Sequence, residues 1–270
     1  MLHVAIEAAT QAGKFLKQNL GKVRDIQQKE GQEKNLVTEI DKRSEDIIIE
    51  IVRKHFPHHD ILAEESGKKK GNTSSEYRWV IDPLDGTTNF THSLPVFCVS
   101  IAVEHNDQIL LGVIYDPNFD ELFTAERGKG AYLNSKRLRV SKTQSLEKSL
   151  LVTGFPYNIV ENPNRAIEHF IHFLMKAQAV RRIGSAAIDL AYAAAGRYDG
   201  FWEVALNPWD VAAGALLVEE AGGKITDFKG NHFSIYKPEV LASNGVVHQA
   251  MIDALSTSSP ENNSTKLNKF

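Results

Sequence analysis

Trp79-Val80-Ile81-Asp82-Pro83-Leu84-Asp85-Gly86-Thr87-Thr88-Asn89-Phe90 is the stretch on which the reading of this chain turns. An apolar, strand-like run delivers Asp82 and Asp85 onto a proline-containing turn, and Gly86-Thr87-Thr88 follows with backbone amides that a turn can expose. Carboxylates hold hard cations and exposed amides hold anions, which together make a minimum kit for phosphate-ester chemistry. Pro, Asp and Gly are also ordinary turn residues. The rest of the chain has to supply the missing ligands.

Further acids stand at the edges of predicted elements. Glu64 and Glu65 follow the short strand Ile61-Leu62-Ala63, and Asp210 sits in Asn207-Pro208-Trp209-Asp210 just before an apolar helix. The plain reading of Asp210 is a helix N-cap; a loop Asp fixed between Trp and a helix also suits a metal. Carboxylates gathered within a few ångströms repel one another unless protons or cations compensate them. No Cys/His cluster of zinc spacing occurs, so an all-oxygen set points to Mg²⁺, with Mn²⁺ as a substitute. Two such ions roughly 4 Å apart clamp a phosphate monoester, one activating water and the other steadying the leaving oxygen. Thr87 is placed to orient that water, while its amide and that of Gly86 contact phosphate oxygens.

Outward from this centre, both halves mix helices with strands, which favours stacked helix and sheet layers, an α/β class, over a simple barrel. Helical periodicity covers residues 2–20, the run around Ile47-Ile48 up to Pro57, 164–177, Gly184 to Ala195, 210–221 and 245–255. Strands are expected at 61–63, 77–81, 121–125, 150–153, 180–183, 224–226 and 240–242, with a hairpin of 96–104 and 109–115 around Asn106-Asp107. Residues 25–35 read as a polar connection. The expected organisation is a single catalytic unit over 1–255, in subregions of about 1–145 and 146–255. Residues 256–270 are too polar to form a core and are expected to be disordered.

A net charge of −3 gives no global signal for nucleic acid, and Lys68-Lys69-Lys70 reads as a solvated loop. The single cysteine, Cys98, lies in an apolar run as an inert buried thiol. Neither a bilayer-length apolar run nor a secretory leader is evident, so the expected location is cytoplasmic, with no membrane partner.

Three separated motifs then carry a resemblance: Leu62-Ala63-Glu64-Glu65-Ser66, the Trp79–Phe90 stretch, and Asn207-Pro208-Trp209-Asp210-Val211-Ala212-Ala213-Gly214 with Glu219-Glu220-Ala221-Gly222-Gly223. Across about residues 3–255 the chain resembles the inositol monophosphatase family, in its bacterial type. The resemblance implies an alternating αβαβα sandwich, shared with fructose-1,6-bisphosphatase, and Mg²⁺-dependent hydrolysis that lithium inhibits. It implies that Glu64, Asp82 and the Leu84 carbonyl hold one ion, that Asp82, Asp85 and Asp210 hold a second, and that a weaker third lies near Glu64. Glu65 and Asp41 would stand behind these ligands, Asp41 hydrogen-bonded to Thr87. Glu203, otherwise readable as a solvated loop acid, would accept bonds from ring hydroxyls, with Asp85 and the Ala186 amide touching the same ring. Asn35 stands where relatives often carry Asp, and Lys29 and Lys34 are both out of register with the usual lysine. These departures bear on loop closure and the third ion.

The same scaffold serves several phosphates. Asn89 and the Arg197–Glu203 segment resemble the inositol branch more than the 3′-phosphoadenosine 5′-phosphate phosphatases. Fructose-1,6-bisphosphate and histidinol phosphate stay open as substrates. Bacterial relatives that act through protein contacts in transcription complexes leave a non-enzymatic, regulatory or scaffold reading open as well. A homodimer is implied by the resemblance alone.

Overall fold

The computed structural model describes residues 1–22, 26–29, 32–73 and 75–257, the side chains of 26–29, 32–37 and 257 excepted. In its first half, α1 (Leu2–Asn19) leads to an antiparallel ribbon of β1 (Ile26–Lys29) and β2 (Gln32–Thr38), then to α2 (Glu39–His55). β3 (Asp60–Ala63), β4 (Gly67–Lys69), β5 (Tyr77–Asp85), the short helix α3 (Thr87–Thr91) and β6 (Cys98–His105) follow. β7 (Gln108–Asp116), β8 (Glu121–Glu126), β9 (Gly130–Leu133) and β10 (Lys136–Arg137) complete an eight-stranded sheet of order β10-β9-β8-β7-β6-β5-β3-β4.

The second half holds β11 (Leu150–Thr153), α4 (Ala166–Lys176), β12 (Ala179–Arg181), α5 (Ala186–Ala194) and β13 (Gly200–Val204). α6 (Pro208–Glu220), β14 (Lys224–Thr226), β15 (Glu239–Ser243) and α7 (His248–Thr257) close it. Its five strands run in the order β12-β11-β13-β15-β14.

Strand alternation assigns the layers. Trp79 and Ile81 of β5, with Val99, Ile101 and Val103 of β6, bury one face of the large sheet against α1 and α2. Val80, Cys98 and Ala102 point the other way, into a core with α5 and α6. That core is also closed by Phe201 and Val240 of the small sheet, whose opposite face sends Trp202 and Leu241 against Phe173 of α4 and Met251 of α7. The stack is therefore α1/α2, large sheet, α5/α6, small sheet, α4/α7: the expected αβαβα sandwich.

Several local readings change. β5 does not stop at Ile81 but continues through Pro83 to Asp85. The polar stretch 25–35 contributes to the β1–β2 ribbon rather than a plain connection. Lys68 and Lys69 lie on the edge strand β4 and not in a loop, and Lys70 is ion-paired with Asp60 at 2.8 Å. β13 carries Glu203 on a central buried strand, so Glu203 is not a solvated loop acid. α7 reaches Thr257, into the segment expected to be disordered; 258–270 lie outside the described residues, as do the side chains of Lys29, Lys34 and Asn35. No helix among the described residues is long and apolar enough to cross a membrane.

Candidate active site

Residues three apart on a regular strand face opposite sides of a sheet. Asp82 and Asp85 escape that rule through a β-bulge. Asp82 pairs with Ser100 and Asp85 with Cys98, so three steps along β5 match two along β6. Both carboxylates consequently turn to the α5/α6 side. Pro83 falls inside the bulge, where a missing N–H costs no ladder bond. Gly86 then adopts φ 101°, and a Cβ there would lie 2.8 Å from the Val96 carbonyl oxygen, so this turn requires glycine.

Behind the bulge, α2 supplies a fixed frame. Its capping box pairs Thr38 with Asp41, whose Oδ2 accepts from the Thr38 amide at 2.9 Å. Asp41 Oδ1 accepts from Thr87 Oγ1 at 2.9 Å, and the Leu84 carbonyl lies 3.1 Å from the same hydroxyl. Ser44 donates to the Pro83 carbonyl at 2.8 Å, and Glu45 accepts the Glu65 amide at 2.8 Å. Asp82 Oδ1 accepts from the Leu84 amide at 3.0 Å.

The small-sheet half closes on this frame. Ser185 caps α5 and donates to Asp85 Oδ2 at 2.6 Å, and the Ala187 amide reaches the same oxygen at 2.7 Å. The Ala186 amide is also directed at Asp85, which competes with the ring contact the resemblance implies for it. Asn89 Nδ2 ties the halves together, donating to the carbonyls of Val96 and Ile183 at 2.8 Å each. The N-cap of α6 is Asn207 rather than Asp210; Asp210 is its capping-box partner and accepts the Asn207 amide at 2.7 Å. Glu203 shares the inward face of β13 with Phe201. A Cβ on Gly154 would sit 2.2 Å from Glu203 Oε1, so only glycine lets that backbone come so close.

These elements enclose a cavity of about 700 Å³. Glu64, Asp82, Leu84, Asp85, Gly86, Thr87, Ala186, Glu203 and Asp210 all line it. Asp41 and Glu65 do not; Asp41 acts on it through Thr87, and Glu65 is tied to Glu45 behind it. Asp189, Arg182 and Tyr157 line it too, and were not singled out from the sequence. Asp189 carried a readable signal as the lone acid in the Ala-rich run 186–195.

Burial dominates the electrostatics, and crowding adds to it. Burial, then the charges of Glu64 and Asp85, push Asp82 far above the ordinary carboxylate range. Burial raises Asp85 to about 6 against the hydrogen bonds from Ser185 and Ala187 that favour its charge. Asp210, half-buried overall, is raised well above its usual value by burial of its carboxyl and then by Glu64 and Asp85. Glu203 reaches about 8, first through burial and then through Asp85.

Among the described residues, no three acidic, histidine or cysteine side chains are placed so as to hold a metal ion between them. Glu64, Asp82, Asp85 and Asp210 nevertheless line one space, and their donors are all hard oxygens. That set suits Mg²⁺: a cation offsets the repulsion that, after burial, raises Asp82, Asp85 and Asp210.

A layered αβαβα molecule with an acid-lined cavity between its sheets is the architecture of a known class of phosphatases. The inositol monophosphatase family model matches residues 1–260, and the chain belongs to that family. It is 47% identical over 254 residues to an inositol-1-monophosphatase from a Synechocystis species, covering 94% of this chain and 88% of that protein. It is 44% identical over 258 residues to Nus factor SuhB from Pseudomonas aeruginosa, covering 94% and 95%. The structure of an inositol monophosphatase from Anabaena superposes with a TM-score of 0.86 at 48% identity, covering 96% of each chain.

Proposed function

We propose that the chain is a magnesium-dependent phosphate monoester hydrolase that acts on myo-inositol monophosphate, releasing inositol and inorganic phosphate. The observation that carries this reading is the bulge that turns Asp82 and Asp85 to one face, toward a cavity shared with Glu64, Asp210 and Glu203. Family membership supports it independently.

Glu64, Asp82 and the Leu84 carbonyl would hold one ion, Asp82, Asp85 and Asp210 a second, and a weaker third would lie near Glu64; Mn²⁺ would substitute and Li⁺ inhibit. When bound, the ions neutralise the phosphate, activate water and stabilise the departing oxygen. The residues do the positioning. Thr87 Oγ1 has one hydrogen, and both Asp41 Oδ1 and the Leu84 carbonyl compete to accept it. Its lone pairs are thereby left to accept from a water and aim that water at phosphorus. The amides of Gly86 and Thr87 contact phosphate oxygens. Glu203, deep in the cavity, accepts a ring hydroxyl, and Asp85 touches the same ring. Glu65 steadies the strand end that carries Glu64, through Glu45.

Residues 1–255 act as one catalytic unit, since the cavity draws on both halves. The protein works as a cytoplasmic homodimer with no direct nucleic-acid or membrane contact. The dimer has physical support: α4 turns Ile167, Ile171, Leu174 and Met175 outward at helical spacing, beside exposed Tyr157 and Val160.

The deciding experiment compares kcat/KM, with and without Mg²⁺, for inositol-1-phosphate, fructose-1,6-bisphosphate, histidinol phosphate and 3′-phosphoadenosine 5′-phosphate. The inositol ester is expected to rank first and to depend on the cation. A higher rank for any of the others sinks the substrate assignment, and turnover indifferent to chelation sinks the metal one.

A further inference from the structure

α5 is apolar except for one side chain, Asp189, which is only 1% exposed. No structural duty accounts for it. The helix is capped by Ser185, which bonds to the Ile188 amide, so Asp189 is not the cap. Among the described residues Asp189 Oδ1 is buried without a hydrogen-bond partner. A buried carboxyl oxygen without a hydrogen bond is costly and is rarely kept without a use.

Its position suggests the use. Asp189 lines the catalytic cavity together with Glu203 and Arg182; the charges of Glu203 and Asp85 oppose its ionisation and that of Arg182 favours it. Ser185 and Ala187, from the first turn of the same helix, hold Asp85 at the other side of that wall. One short helix thus connects the acid cluster to a second carboxyl, its Oδ1 unpaired, in the same cavity as Glu203.

We propose that Asp189 is a specificity-determining residue that accepts a hydroxyl of the leaving polyol, so that Asp189 and Glu203 together read two hydroxyls. The inference rests on the polyol phosphatase reading above and adds a second recognition point to it. Each site hydroxyl contact left unmade by a poorer substrate strands a buried acceptor, which is the strongest form of discrimination available to a small pocket.

The test uses the full chain with Mg²⁺ and two phosphates of the same ring size: myo-inositol-1-phosphate, and cyclohexyl phosphate, which has no hydroxyls. The Asp189→Ala and Asp189→Asn variants are assayed on both, and their melting temperatures are measured without substrate. Loss of a hydrogen bond to a buried acceptor lowers kcat/KM on the inositol ester by about tenfold or more and leaves cyclohexyl phosphate within about twofold. Melting temperature holds or rises, because an unsatisfied carboxyl oxygen has been removed. Equal losses on the two phosphates, or an unchanged ratio between them, overturn the inference. A wild-type enzyme that handles both esters alike defeats the substrate reading by itself, and the Asp189 inference is still decided by whether its variants shift the ratio.

Discussion

Asp85 is the residue at which the two halves of the molecule meet. The β5 bulge turns it inward, and Ser185 and Ala187, from the other half, hold its Oδ2. Those two donors favour the charged form while burial and Glu64 oppose it, which leaves the carboxyl at about 6. A residue so balanced changes its charge state readily when a cation arrives. Asp85→Asn keeps the size and most of the hydrogen-bonding capacity but removes the charge. Turnover is expected to fall by about a hundredfold or more in saturating Mg²⁺, with the circular dichroism spectrum and melting curve preserved. Unchanged turnover would remove Asp85 from the metal set. Glu203 answers a different question. Glu203→Ala should lower kcat/KM for inositol-1-phosphate more than for an aryl phosphate such as 4-nitrophenyl phosphate; equal loss on both would deny it a role in reading the polyol.

At the scale of elements, α7 is anchored by a buried histidine. His248 is 1% exposed, with Thr226 of β14 at 2.9 Å from Nε2 and Ser243 of β15 at 2.9 Å from Nδ1. Thr226 Oγ1 spends its own hydrogen on the Asp227 carbonyl, so it accepts from Nε2–H, and Nδ1 accepts from Ser243. Both ring nitrogens are thus satisfied in the neutral form. Burial, with the Lys224 charge second, lowers the pKa from 6.5 to about 4. Below pH 6.5 the unfolded chain takes up a proton that the folded one refuses until about pH 4. Stability is therefore lost between those two values, by on the order of 3 kcal/mol if the whole shift is expressed. Urea unfolding at stepped pH should show a shallower decline for His248→Gln than for the wild type over that window; parallel declines would mean the histidine is not the source.

Legibility differed among the elements for physical reasons. β5 and β6 announced themselves through apolar runs whose β-branched residues pack well on a pleated surface. The bulge did not, since Pro83 between two Asp residues reads as a turn, and only the pairing with β6 reveals an inserted residue. β13 is buried on both faces, so Gly200-Phe201-Trp202-Glu203-Val204 lacks the alternation that marks a half-exposed strand. Without that strand, Glu203 had to be placed through a motif. Asp189 was hidden by its helix: an acid early in a helix is normally explained by the dipole, and only its unpaired Oδ1 sets it apart. The cluster of Glu64, Asp82, Asp85 and Asp210 was legible because its chemistry demands a particular set of residue types, whatever the strands do.

At the scale of the whole molecule, relatives of nearly equal similarity carry two kinds of name, inositol-1-monophosphatase and Nus factor SuhB. Surface and site can be tested separately. α4 buries Ala166, His169 and Phe173 against the small sheet and leaves Ile167, Ile171, Leu174 and Met175 outside, with Met175 79% exposed. A helix apolar on both faces is usually covered on both. Beside it, an apolar groove of about 540 Å³ is lined by Phe155, Tyr157, Ile159 and Ile167, and Phe155 and Tyr157 also line the catalytic cavity. A second copy seated on this face would therefore brace one wall of the active site. Ile171→Glu combined with Met175→Glu places two charges on that face without touching the acid cluster. In sedimentation velocity the wild type should run as a dimer and the double variant as a monomer, with a raised KM for the inositol ester and Mg²⁺-dependent turnover retained. A dimer that survives both charges would place the interface elsewhere.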